Sequence, residues 1–235
     1  MQQEVMFRGF TEEKNMINIA IDGPAGAGKS TIAKKAAADL GYVYVDTGAM
    51  FRAIGLYMVR KGADLEDPAE IALNAGGADV DIEYKDGEQC VLLNGENVNG
   101  LIRTEEISDA ASRVAVVPEV RKKMLELQRN IASKHDVIMD GRDIGSAVLP
   151  DADLKIFLTA SVDVRAERRY RENIAKGMEA DIEEIKRDIR ERDERDMTRS
   201  EAPLVKVDDA VEIDSSYMTI DQVVEKIEEL AGNLK

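Results

Sequence analysis

Short apolar runs alternate along this chain with stretches whose apolar residues recur at helical spacing, and the order of the two predicts a β/α protein. Residues 16–22 (MINIAID) run apolar into Gly-Pro, and in 29–40 Ile32, Ala33, Ala36, Ala37 and Leu40 recur at helical spacing before Gly41. The reading is strand, loop, helix. Residues 42–45 and 48–61 repeat it, the helix carrying Met50, Ile54, Leu56, Tyr57 and Met58. A strand over 137–139 leads into a loop, 154–158 precedes a helix from about Ser161, and 211–213 precedes a helix from Thr219. Such alternation predicts an α/β fold with a mostly parallel sheet covered by helices on both faces.

One stretch breaks the pattern. Residues 79–84 and 89–93 alternate or run apolar around Asp86-Gly87, with Asn94-Gly95 and a further short run at Val98 following. Turn signals this close together predict a small antiparallel insert over 79–100. Helices are expected over 104–116 and 118–133, with Pro118 at a first helical position. The acidic C-terminal stretch reads as a solvated amphipathic helix face.

The chain has 235 residues, enough for one sizeable α/β domain over 16–235 with an insertion and no linker. Residues 1–15 lack the apolar core of a signal peptide and precede a second methionine at Met16, so they read as an extension or cloning remnant. A formal charge of −15 disfavours nucleic-acid polymers and anionic membranes as partners. The longest apolar runs fall far short of the roughly 20 residues a membrane helix requires. The only cysteine, Cys90, cannot form an intrachain disulfide, and with the only histidine, His135, it makes no metal cluster. Both read as structural, and a reducing cytoplasm fits. A phosphate-binding protein this acidic must concentrate its arginines, and nine of the 17 lie between Arg165 and Arg199.

The strongest chemical signal is Gly23-Pro24-Ala25-Gly26-Ala27-Gly28-Lys29-Ser30, followed by Thr31, which fills the G-x-x-x-x-G-K-[ST] phosphate-loop pattern between a strand and a helix. Its glycines let backbone N–H groups face phosphate oxygens, and the helix beginning near Lys29 adds its positive end. Lys29 then reaches the β- and γ-phosphates of ATP, and Ser30 can ligate Mg²⁺. Asp140, closing the strand-like run VIMD, stands where such proteins place a carboxylate near Mg²⁺, and Arg142 and Asp143 follow it. No N-K-x-D guanine-reading sequence and no serine-glycine-glycine signature is present, which leaves the small P-loop kinases. In a helix over 181–199, Arg192, Arg195, Asp196 and Arg199 fall at i, i+3, i+4 and i+7. Two readings stay open: an arginine lid for phosphates, or a solvated face stitched by Asp188–Arg192 and Glu191–Arg195 pairs. Thr47 either serves a substrate or caps the next helix, and Arg52 points either to the crevice or to solvent.

GPAGAGKST, DTGAMFR, IRTEEISDAASRVAVVPEVR, DGRDIG with VLPDADLKIFLTAS, and RERDERDMTR with APL occur in an order and spacing that resemble the cytidylate kinases, over nearly the whole chain from Met16. The insert and a short lid over 177–199 make the resemblance one to the bacterial type. It implies a P-loop kinase fold with the insert on the acceptor side, and ATP and Mg²⁺ serving phosphoryl transfer to CMP or dCMP by a monomeric enzyme. It implies that Ser112, Arg121 and Asp143 read cytosine, and that Arg52, Arg142 and Arg199 hold the acceptor phosphate. Arg192 and Asp196 would lie at the lid, ribose and phosphates, Arg168 with the donor nucleotide, and Lys29, Arg142 and Arg192 would carry the catalysis. Thr47 stands where a serine is common and keeps the hydroxyl. Cytosine offers an amino donor at N4 and acceptors at N3 and O2, which a carboxylate and a guanidinium complement. The attacking phosphate, with a second pKa of about 6, needs no dedicated base. The phosphate loop and arginines also suit a kinase for UMP, AMP or shikimate, and a nucleotide-binding switch is the reading from another class. Only Ser112, Arg121 and Asp143 argue for cytosine.

Overall fold

The structure is a computed structural model that describes residues 16–85 and 87–234. Residues 1–15, read above as an extension, and Asp86 of the expected Asp86-Gly87 turn lie outside the described residues. The strands β1 (Asn18–Asp22), β2 (Val43–Asp46), β6 (Val137–Gly141), β7 (Leu154–Thr159) and β8 (Val211–Asp214) form one parallel sheet in the order β2-β6-β1-β7-β8. The helices are α1 (Lys29–Leu40), α2 (Thr47–Lys61), α3 (Pro68–Ala75), α4 (Glu105–Val114), α5 (Pro118–Ala132), α6 (Val162–Ala175), α7 (Ile182–Thr198) and α8 (Ile220–Gly232).

Both sheet faces are buried, and strand periodicity sorts the side chains between them. Ile19, Ile21 and Ile138 pack with α1 and α8, whereas Ala20, Val137 and Met139 face α2, α4 and α5. Gly55 lets α2 and α4 approach closely, since a Cβ there would lie 3.0 Å from the backbone nitrogen of Ala111. Among the described residues no helix is long and apolar enough to cross a membrane.

The insert is a second, antiparallel sheet of β3 (Val80–Lys85), β4 (Glu88–Leu93) and β5 (Glu96–Asn97). Its third strand precedes Val98 rather than containing it, because Val98 turns inward and is fully buried. The Tyr84 hydroxyl donates to the Tyr44 carbonyl (2.9 Å). Gln89 grips Asp46 twice, accepting from its N–H (2.8 Å) and donating to its carbonyl (3.2 Å). The insert is thereby fastened to the carboxyl end of β2.

Two elements were not foreseen. Helix α3 is short, starts at Pro68 and is capped by Asp67. A π-helical turn, Ile144–Val148, follows β6, because the Asp22 carboxylate draws in the N–H groups of Ile144 (2.8 Å) and Gly145 (2.7 Å).

Candidate active site

Parallel register brings three acids to the carboxyl edge of the sheet: Ile21 pairs with Asp140, Asp22 with Gly141, and Asp46 with Asp140. Strand β6 continues through Gly141, so Asp140 lies within the strand and Arg142 just beyond it. Gly23 has φ 149°, and a Cβ there would lie 2.0 Å from the Leu158 carbonyl oxygen, so only glycine lets the phosphate loop leave β1 beside β7. Helix α1 follows with Gly28 at its cap (φ 92°) and no side chain bonding its first turn, so those N–H groups are available to an anion.

Lys29 is buried, and its ammonium donates to the carbonyls of Gly23 (2.7 Å) and Pro24 (2.8 Å). Burial, and then the Arg142 charge, lower its pKa to about 7 against the opposing pull of Asp140, Asp22 and Asp196. Burial likewise pushes Asp140 up to about 6, assisted by Asp46, and Asp22 up to about 6. An anion brought beside it would restore the charged form of Lys29, since an opposite charge favours it.

Ser30 Oγ donates to Asp140 Oδ2 at 2.9 Å, and Tyr44 donates to Oδ1 at 3.1 Å. Neighbouring oxygens around an octahedral Mg²⁺, each at about 2.1 Å from the ion, are about 3 Å apart, so the Ser30–Asp140 pair fits that ion. Among the described residues no group of three or more His, Cys, Asp or Glu could hold a metal. Phosphate and water oxygens would therefore complete the shell, as is usual for Mg²⁺.

Around this centre stand paired guanidiniums. Arg52 turns to the crevice and donates to Asp46 (3.0 Å), with its Nε buried and unpartnered. Asp46, not Thr47, caps α2, accepting from Ala49 N–H (2.8 Å), while Thr47 donates its hydroxyl to the Asp140 carbonyl (2.7 Å). Arg142 pairs with Asp196 (2.8 Å), and Arg121 pairs with Asp143, which also has Arg199 at 3.8 Å. Burial raises the Asp196 carboxyl, but the charge and hydrogen bond of Arg142, with the charges of Arg192 and Arg199, together hold the group below its usual range. Arg192 has a buried, unpartnered Nε, and burial, then Arg142, lower its pKa to about 10, so it stays charged at neutral pH. Arg168 reaches the Ser215 carbonyl (2.8 Å) beside the phosphate loop. Ser112 lines the cleft and donates to Ser108 within α4 (3.3 Å).

One cleft of about 1400 Å³ gathers the expected site residues except Gly23, Pro24 and Ala27, which are buried in the loop's fold. The solvated-face pairs of α7 do not form: neither Asp188–Arg192 nor Glu191–Arg195 is within 4.0 Å among the described residues. Arg195 departs from the expected cluster, since it pairs with Asp109 of α4 (3.1 Å) and is largely exposed. His135 is exposed on the loop before β6, and Cys90 is a buried free thiol in β4, so neither joins the site.

The cytidylate kinase family model matches residues 19–233. The chain belongs to the cytidylate kinase family. A cytidylate kinase of Lactobacillus johnsonii is 50% identical over 92% of this chain and 94% of its own length, and one of Pediococcus pentosaceus 49% identical over 93% and 97%. Among solved structures, shikimate kinase from Acinetobacter baumannii in complex with shikimate aligns with 17% identity and a TM-score of 0.46, covering 94% of this chain and 95% of that one.

Within this family framework, two site groups escaped the sequence reading, Asp22 and Tyr44, and Asp46 entered it only as the start of DTGAMFR. Asp22 and Asp46 had a signal, an acid closing a strand beside a Gly-rich or helix-starting segment. Tyr44 had none, because its hydroxyl meets Asp140, 96 residues away, only in the folded chain.

Proposed function

We propose that this chain transfers the γ-phosphoryl group of ATP to CMP, and to dCMP, giving ADP and CDP or dCDP. The observation that carries this reading is the set Arg121, Asp143 and Ser112 in one cleft with the phosphate loop, in a member of the cytidylate kinase family. A carboxylate held between two guanidiniums accepts hydrogen bonds only, which suits the N4 amino group of cytosine and opposes the O4 carbonyl of uracil. Ser112 would complete the base site.

The phosphate loop from Gly23 to Thr31, with Arg168, binds the donor. Its N–H groups and Lys29 neutralise charge that grows on the transferring group. Arg52, Arg142 and Arg199 hold the acceptor phosphate, with Thr47 beneath it, so that a phosphate oxygen lies in line with the γ-phosphorus. Arg192 and Asp196 act from the lid, the arginine on the phosphates and the acid by orienting Arg142. Ser30 and Asp140 would hold Mg²⁺, which would supply electrostatic stabilisation of the negative charge on the phosphates.

In this reading residues 16–235 are one kinase domain, with 79–100 as acceptor-side insert and 177–199 as lid. The enzyme is a cytoplasmic monomer, and residues 1–15 are dispensable. The test is ADP formation coupled to an optical readout, with CMP, dCMP, UMP, AMP or GMP as acceptor. Turnover stimulated chiefly by CMP and dCMP is expected. ATP binding without acceptor-stimulated turnover would make the chain a nucleotide switch instead.

A further inference from the structure

Arg165 is the one arginine that is fully buried among the described residues, 4% exposed, and it has no part in the phosphate contacts assigned above. Its Nε donates to the Ala160 carbonyl (2.9 Å) and Nη1 to the Ala25 carbonyl (3.0 Å). Nη1 and Nη2 together fork onto the two oxygens of Asp193 (3.0 and 2.6 Å). Four of its five N–H groups are thus taken, which leaves little for a ligand. Its stem runs beneath the phosphate loop, with Cβ 3.4 Å from where a Cβ on Gly26 would lie.

Asp193 sits on α7 between Arg192 and Asp196. Successive residues of a helix point about 100° apart, so tying Asp193 to α6 and the loop fixes the direction in which Arg192 projects. Asp196, one turn on, ties the same helix to Arg142 at the opposite wall. The two acids anchor α7 on both sides of the cleft, and Arg192 stands between them with its Nε unpartnered. The pair is not what keeps α6 on α7. Ala166, Ile185 and Ile189, with Val162, Tyr170 and Ile182 around them, already pack the two helices together.

We propose that the Arg165–Asp193 pair is a positioning element for phosphoryl transfer: it joins the lid helix to the Ala25 carbonyl of the phosphate loop and so fixes Arg192 over the transferring group. The inference rests on the reading that phosphate passes between Lys29 and Arg192. Because Arg192 works on the transition state rather than on CMP binding, a mispositioned Arg192 lowers kcat and spares KM.

The experiment replaces both partners by apolar groups of similar size, Arg165→Met with Asp193→Leu, which avoids leaving one buried charge unpaired. Steady-state kinetics with CMP and ATP are measured alongside circular dichroism. The expected result is a folded enzyme whose kcat is at least about fivefold lower, with KM for CMP within about threefold of the parent. A smaller loss of kcat, or a loss carried by KM for CMP, overturns the proposal. If the double variant does not fold, Asp193→Asn, which keeps size and one acceptor oxygen, is judged by the same criteria. A parent protein that forms no ADP in response to CMP would refute the kinase reading, whereas an active parent with an equally active variant refutes only the positioning role.

Discussion

Replacing Lys29 by methionine separates what the phosphate loop does for catalysis from what it costs the fold. The ammonium is buried, and its pKa falls from 10.5 to about 7. At about 1.4 kcal/mol per pH unit, that separation is an unfavourable contribution on the order of 5 kcal/mol at neutral pH. Against it stand the two hydrogen bonds to Gly23 and Pro24, whose carbonyls lose their partner in Lys29→Met. Orphaned buried acceptors cost about 1–3 kcal/mol each, so the two effects nearly cancel and the variant should lie within about 2 kcal/mol of the parent at pH 7. The sign of the pH dependence follows from proton counting. Between about pH 7 and 10.5 the unfolded chain holds the proton on Lys29 and the folded chain does not, so the parent gains stability as pH rises and the variant lacks that gain. Urea unfolding of both proteins at pH 7, 8, 9 and 10 should show the parent pulling ahead by up to about 1.4 kcal/mol per pH unit. Activity, by contrast, should fall by at least about a thousandfold at every pH, since the transition state loses its principal cation. A stability gap that is constant across this pH range would refute the burial argument, and activity within about tenfold of the parent would remove Lys29 from the mechanism.

Asp143→Asn should narrow the preference for CMP over UMP, because asparagine can present either a donor or an acceptor, and pairing losses of this kind reach about 10⁴ in kcat/KM. Equal loss with both substrates would instead assign Asp143 to holding Arg121 and Arg199. Hydrogen exchange in α7 should slow most when a non-hydrolysable ATP analogue and CMP are bound together, as the arginines of the lid find their phosphates. Protection that is the same without ligands would leave α7 an ordinary surface helix.

The alternating elements were legible because each carries its own signal: Ile19 and Ile21 on a strand, Ile32 and Ala36 on a helix, glycines at the turns. The phosphate loop was legible because its glycines, lysine and serine stand together in sequence. Helix α3 was not, since it is short and its Leu73 is 85% exposed, leaving little apolar periodicity to read. The π-helical turn was not, because its cause is Asp22, 122 residues away from Ile144. The same holds for Arg165, which composition places among nine arginines of the segment. Its contact with Ala25, 140 residues distant, and its fork onto Asp193 set it apart from the other arginines of the segment.

The most direct measurement of the central claim follows the phosphorus itself. With Mg²⁺, ATP labelled in its γ-phosphoryl group and CMP, the label should appear at the β-phosphorus of CDP, resolved by ³¹P NMR, in step with ADP. Label released as inorganic phosphate, with CMP unchanged, would contradict it.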